Sequence, residues 1–202
     1  MIEQARHAVE AGIDQLQVRE RDLEAAELAK LVEEIVAIAA GSPTRVVVND
    51  RLDVALACGA AGVHLRGDSV PAAAVRRMVP AGFLVGASVH TMAEAVKAGP
   101  HVDYLVAGTV WPTASKRTAS PDTLLGLDGL TRIAAAVAVP VLAIGGVSVD
   151  RVATIARTGA AGAAAIALFM SESPNRDGCL AQPLLDRVAA ARAAFDTSRT
   201  AS

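Results

Sequence analysis

Two stretches of this sequence carry the residue types that hold anions. In Gly108-Thr109-Val110-Trp111-Pro112-Thr113-Ala114-Ser115-Lys116, an apolar run (Tyr104-Leu105-Val106-Ala107) leads into glycine, then hydroxyls on either side of Ala114, then a lysine. Proline stops a helix from starting early, so the run ends in a loop whose hydroxyls, backbone N–H groups and ammonium can converge on phosphate oxygens. A polar loop with a solvated lysine fits the same residues. The second stretch is Gly145-Gly146, directly after Val139-Pro140-Val141-Leu142-Ala143-Ile144. A glycine pair at such a point lets the backbone approach a phosphate closely.

Further polar residues stand at the ends of other apolar runs: Gln17, Arg19 and Arg21; Asn49 and Asp50; His64, Arg66 and Asp68; Ser88 and His90. Alternation puts Gln17, Arg19 and Arg21 on one face, which suits a shared ligand as well as a solvated edge. Asp50 fits either a ligand role or the cap of a helix starting at Arg51. His64 and His90 lie at neighbouring run ends, where they could share a metal or be satisfied by backbone.

The elements that position these residues follow from a repeated phrase of helix, glycine and strand. Ala11-Gly12, Gly59-Ala60-Ala61-Gly62, Ala98-Gly99 and Gly159-Ala160-Ala161-Gly162 each precede an apolar run, with glycine where a helix ends in the left-handed conformation. About seven strands result, ending near Glu20, Asn49, Leu65, Ser88, Gly108, Ile144 and Leu168. Amphipathic stretches between them predict helices at Leu23 to Ala39, Arg51 to Ala57, Thr91 to Ala98, Leu127 to Val137 and Val149 to Arg157, with Thr91 and Glu94 in capping-box spacing. Repeated α-then-β units imply a parallel sheet, here an α/β TIM (β/α)8-type barrel lacking its first strand, because the chain opens on a helix, Ile2 to Glu10. The expectation is that the first strand lies upstream of Met1. One domain is expected over residues 1–195, closed by a helix from Leu184 to Phe195, with 196–202 as a disordered tail.

Composition narrows the partners. Hydrophobic residues make up 52% and aromatics only 2%, so the core is built from Ala, Val, Leu and Ile. A formal charge of −2 offers no basic field for nucleic acid or an anionic membrane. Cys58 and Cys179 are far apart and form no metal motif or disulfide framework. The first residues lack the apolar core of a signal peptide, and no run approaches the roughly 20 apolar residues of a membrane span. A cytoplasmic protein acting on small molecules is expected, with a homo-oligomer left open.

Taken in order, Gln17-Val18-Arg19-Glu20-Arg21, Val48-Asn49-Asp50, Gly62-Val63-His64-Leu65, Gly86-Ala87-Ser88-Val89-His90, the Gly108 to Lys116 stretch and Ala143-Ile144-Gly145-Gly146-Val147 together resemble the thiamine phosphate synthase and thiazole tautomerase superfamily. The resemblance covers Ile2 to about Met170. It implies an enzyme that joins a pyrimidine methyl diphosphate to a thiazole phosphate, releases pyrophosphate and uses magnesium. By position it implies that Gln17, Arg19, Arg21, Asn49, Ser88 and Lys116 hold the pyrimidine and its diphosphate, with Arg19, Lys116 and Ser88 as the catalytic group. Thr113, Ala114, Ser115, Gly145, Gly146, Ile166 and Ala167 would hold the thiazole phosphate, and Asp50 would ligate the metal.

The sequence also departs from the family pattern. The position of a second magnesium carboxylate falls on Ser69, which leaves Asp68, one residue earlier, as the other metal candidate. Arg21 replaces a lysine, Ala167 replaces a serine, and Thr109 stands where some tautomerases carry a catalytic histidine. Two further readings therefore stand beside the synthase. One is a thiazole phosphate tautomerase using His90 for proton transfer, and the other is a non-catalytic barrel that binds a phosphorylated ligand.

Overall fold

In the computed structural model, residues 1–113, 124–169 and 181–200 are described. The chain opens on α1 (Ile2–Glu10) and then alternates: β1 (Gln15–Val18), α2 (Ala25–Ala39), β2 (Arg45–Asn49), α3 (Leu52–Ala57), β3 (Gly62–Leu65), α4 (Ala72–Met78), β4 (Leu84–Val89), α5 (Met92–Ala98), β5 (Tyr104–Gly108), α6 (Gly126–Ala136), β6 (Val141–Ile144), α7 (Val149–Ala156), β7 (Gly162–Ala164) and α8 (Ala181–Thr200). The seven strands form one sheet in chain order, β1 to β7. Seven strands in sequence order with helices between them are the α/β arrangement of a TIM-type barrel with one strand fewer than eight.

Two compact units make up the chain, Met1–Val85 with Phe169–Ala189 and Gly86–Leu168 with Ala190–Ser202. In the first, β1 pairs parallel with β2, and β2 with β3, setting Asn49 opposite His64. Val46, Val47 and Val48 of β2 are all buried, the pattern of a parallel strand covered on both faces. Leu28, Val32, Ile35 and Ala39 form the buried stripe of α2 at helical spacing. A separate cluster joins Ala8 of α1 to Leu184 and Val188 of α8, with Ile13, Leu16 and Phe169 packed against it.

In the second unit, β5 pairs parallel with β4 and β6, and β6 with β7. Every residue of β5 is buried. Leu130 and Ile133 of α6 and Val152 and Ile155 of α7 are also buried. The Thr91 hydroxyl accepts from the Glu94 N–H while the Glu94 carboxylate accepts from the Thr91 N–H, completing the capping box expected at the start of α5. Among the described residues, no helix is long and apolar enough to cross a membrane.

Four features differ from the sequence expectation. β1 stops at Val18 rather than Glu20, because its ladder runs only from Gln15↔Arg45 to Val18↔Val48. β7 ends at Ala164 rather than Leu168, since the Ala163-Ala164-Ala165 run has no β-branched side chains to favour extension. α8 carries on to Thr200, past the Phe195 end expected from its apolar residues. Gly12, Gly59 and Gly159 have the expected positive φ, but Gly99 is right-handed helical (φ −46°) and hands α5 to a short 3-10 turn, Gly99–His101. α4 was not expected; only Val75 among its residues is buried, so its apolar periodicity is faint.

Candidate active site

The residues singled out in the first unit meet at the carboxyl ends of β1, β2 and β3. Gln17 Nε2 donates to Asn49 Oδ1 at 3.0 Å, joining the exits of two neighbouring strands. One residue on, Asp50 has φ +64°, a left-handed conformation that aspartate tolerates better than bulkier residues but that still costs free energy. Its N–H donates to the His64 carbonyl at 2.9 Å, which fixes the turn. Asp50 does not cap α3: that position is Arg51, with no side-chain cap. The Asp50 carboxylate instead accepts a hydrogen bond from the Ser69 hydroxyl.

Arg66 lies between two carboxylates. Its Nη1 is 3.8 Å from Asp50, while its Nε donates to Asp68 at 2.8 Å and its Nη2 makes the second arm of a fork to the same carboxylate. That fork holds the Asp68 carboxyl below its usual range. Arg19 is depressed below the ordinary arginine value, first by burial and then by the charges of Arg21 and Arg66. Arg19 is thus close enough to feel both of the other guanidinium groups. His64, 2% exposed, is pushed down to about 4 by burial first and by the Arg19 charge second, so it is neutral near pH 7.

The second unit has a backbone cradle of its own. Gly145 and Gly146 both have positive φ, +100° and +67°. They also stand tight against the β5 exit: a Cβ on Gly145 would overlap the Thr109 side chain, and one on Gly146 would come within 2.7 Å of Trp111 Cβ. Val110 N–H donates to the Ile144 carbonyl at 2.9 Å and Trp111 N–H to the Gly145 carbonyl at 3.1 Å, so the β5 exit is laced to the glycine pair. Thr113 follows, half-buried, while Ile166 and Ala167 lie in the exposed turn after β7. Ser88 sits within β4 opposite Val106. Ala114, Ser115 and Lys116 lie outside the described residues. The His90 ring bonds the Gly108 carbonyl through Nδ1, and its backbone N–H donates to the Glu94 carboxylate. Among the described residues, no three His, Cys, Asp or Glu side chains group as a metal cluster.

A sequence profile described as thiamine monophosphate synthase matches residues 1–169. The chain belongs to the thiamine monophosphate synthase family. It is 40% identical over 190 residues, 94% of its length, to the thiamine-phosphate synthase of Methanoculleus marisnigri, of which it spans 88%. It is 39% identical over 198 residues to the thiamine-phosphate synthase of Methanoregula boonei, covering 98% of this chain and 90% of that one. A solved structure of thiamine phosphate pyrophosphorylase from Pyrococcus furiosus superposes with a TM-score of 0.81 at 29% identity, over 98% of this chain and 90% of that one.

Strand-end reasoning put Gln17, Asn49, Asp50, Gly145 and Gly146 at or beside strand exits, and the structure has them there, because each stands beside a run that reads as a strand. It did not assign roles to Arg66 and Arg151. Arg66 was visible as a strand-end cation, but its fork to Asp68 depends on a turn closed by the Arg66 N–H donating to Ser69 Oγ at 2.8 Å. Arg151 stands in the first turn of α7, where a cation opposes the helix dipole, and that misfit is the signal a reader could have used.

Proposed function

We propose that this chain is a thiamine-phosphate synthase, coupling hydroxymethylpyrimidine diphosphate with thiazole phosphate to give thiamine phosphate and pyrophosphate. The observation that carries this reading is the group of Arg19 with Arg21 and Arg66, the last of which stands 3.8 Å from Asp50. Arg19, held down by burial and by the charges of Arg21 and Arg66, gains when a polyanion arrives, and a diphosphate brings the required charge. In the reaction, the thiazole nitrogen forms a bond to the methylene carbon of the pyrimidine while the carbon–oxygen bond to the diphosphate breaks, the electron pair leaving on pyrophosphate. The aminopyrimidine ring can stabilise positive charge at that carbon. The protein therefore has to neutralise the leaving group and hold the nucleophile in line.

Roles follow from the chemistry of each side chain. In the first unit, Arg19 and Arg21 neutralise the diphosphate, and Gln17 and Asn49, already bonded to each other, orient the pyrimidine; Ser88 and Lys116 have their roles toward the same substrate from the family resemblance alone. The N–H groups at Gly145 and Gly146, with Thr113, Ala114, Ser115, Ile166 and Ala167, take the thiazole phosphate. An Asp50 carboxylate beside the Ser69 hydroxyl is an oxygen donor set of the kind magnesium accepts, with diphosphate oxygens completing it. Asp50 would hold the ion directly; Asp68, engaged by Arg66, would do so only on release. When bound, magnesium supplies further neutralisation of the pyrophosphate.

The test is incubation of the protein with magnesium and both substrates, with product converted to fluorescent thiochrome. Thiamine phosphate is expected, and Asp50→Asn, which removes the charge but keeps a residue tolerant of positive φ, is expected to reduce turnover by about 100-fold or more. A folded protein that forms no product overturns the reading.

A further inference from the structure

Arg151 belongs to none of the residue sets considered so far, yet it touches both sides of the glycine cradle. Its Nη1 donates to the Gly146 carbonyl at 2.6 Å, and its guanidinium carbon stands 5.0 Å from the centroid of the Trp111 ring. Both contacts are within reach of a charge-assisted hydrogen bond and a cation–π interaction. Trp111 is bonded through its N–H to Gly145 and is the residue a Cβ on Gly146 would strike. One guanidinium thus bridges the glycine pair and the β5 exit that it packs against.

The consequence is directional. In a trans peptide the carbonyl and the following N–H point to opposite sides. Fixing the Gly146 carbonyl on Arg151 therefore turns the Val147 N–H away from Arg151. Glycine at φ +67° and +100° has no side chain to hold that orientation, so without the guanidinium the peptide plane is free to rotate. A cation in the first turn of α7 forgoes the favourable end of the helix dipole, which Asp150 beside it takes instead. Placing arginine there makes sense if it is needed for what lies in front of the helix.

We propose that Arg151 is a positioning residue for the phosphate cradle: acting through the Gly146 carbonyl and the Trp111 ring, it holds the Gly146–Val147 peptide with the Val147 N–H presented to the phosphate of thiazole phosphate. This rests on the synthase reading above. It predicts selectivity between the two substrates, because Arg151 acts on the cradle alone. It also predicts a built-in reporter, because Trp111 is the only tryptophan in the chain.

The experiment titrates thiazole phosphate into the full-length protein, following Trp111 emission and, separately, isothermal heat. The steady-state constants for both substrates are measured alongside. Arg151→Ala is expected to raise the Kd and KM for thiazole phosphate by about tenfold, the loss typical of one charged hydrogen bond, while kcat and the KM for the pyrimidine diphosphate stay within about twofold. Arg151→Lys, which can still donate to the Gly146 carbonyl but lacks the planar fork, is expected to recover about half of that loss on a logarithmic scale. An unchanged thiazole phosphate affinity in a folded Arg151→Ala protein overturns the inference alone, as does an equal loss in both substrates that lysine does not rescue. A wild-type protein that neither binds thiazole phosphate nor makes product overturns the synthase reading first, and the inference with it.

Discussion

The Ser69 hydroxyl donates to the Asp50 carboxylate, so a neutral donor occupies the space beside the one residue of this site whose backbone is held in the left-handed region among the described non-glycine residues. Ser69 brings no charge of its own to the Asp50 carboxylate. A neighbour with its own carboxylate would compete for the same cations and repel it.

Ser69→Asp should therefore convert this pair into a two-carboxylate site. In the absence of substrate, Mn2+ affinity measured by loss of its free electron paramagnetic signal is expected to rise about tenfold over wild type, as ligand charge increases. The variant should also melt lower than wild type without metal and regain stability when it is added, since two adjacent carboxylates repel until a cation lies between them. Equal Mn2+ affinity in the two proteins would remove Asp50 from the metal site.

Gly146→Ala tests the cradle from the opposite side to Arg151. The new Cβ would meet Trp111 Cβ at 2.7 Å and the Pro112 carbonyl at 3.1 Å, on a backbone at φ +67°. Strain and overlap together are expected to cost about 1–3 kcal/mol in urea unfolding, and to raise the thiazole phosphate KM in the protein that remains folded. A variant as stable as wild type, with unchanged KM, would mean that the pair moves freely.

His64 sets a pH dependence of stability. Its folded value, about 4, lies below the ordinary 6.5, so between these values the unfolded chain binds the extra proton and the folded one does not. Stability therefore rises with pH through this window and is lost as pH falls from about 6.5 toward 4, by about 3 kcal/mol in total from this group. Urea unfolding at pH 7 and pH 4.5 should show the loss, and His64→Asn should flatten the part of the slope due to this residue. An unchanged slope in that variant would assign the pH dependence to other groups.

Most of the scaffold was legible because the chain repeats one unit whose periods are plain: a buried run such as Val46-Val47-Val48 and a stripe such as Leu28, Val32 and Ile35 leave little choice of element. Legibility failed where side chains are small. β7 is glycine and alanine, and α4 buries a single valine, so neither has a pattern strong enough to set its limits. In the site, residues at strand exits were readable because register follows from the repeat, and Gln17 meeting Asn49 is an example. The pairs Asp50 with Ser69 and Trp111 with Arg151 were not. Each joins residues separated by 19 or more positions through loops, and loop contacts depend on turn geometry that apolar periodicity does not encode.

The cluster of Ala8 with Leu184 and Val188 bears on how the protein is made. The first compact unit takes its N-terminal 85 residues from one end of the chain and Phe169–Ala189 from the other. At a synthesis rate of 5–20 residues per second, roughly 5–20 s separate the emergence of residue 85 from that of Leu184. Throughout that interval the apolar side of α1 has been translated but its cover has not. The nascent chain therefore exposes the apolar side of α1 while the residues between it and α8 are made, and a core begun by one helix waits for the other.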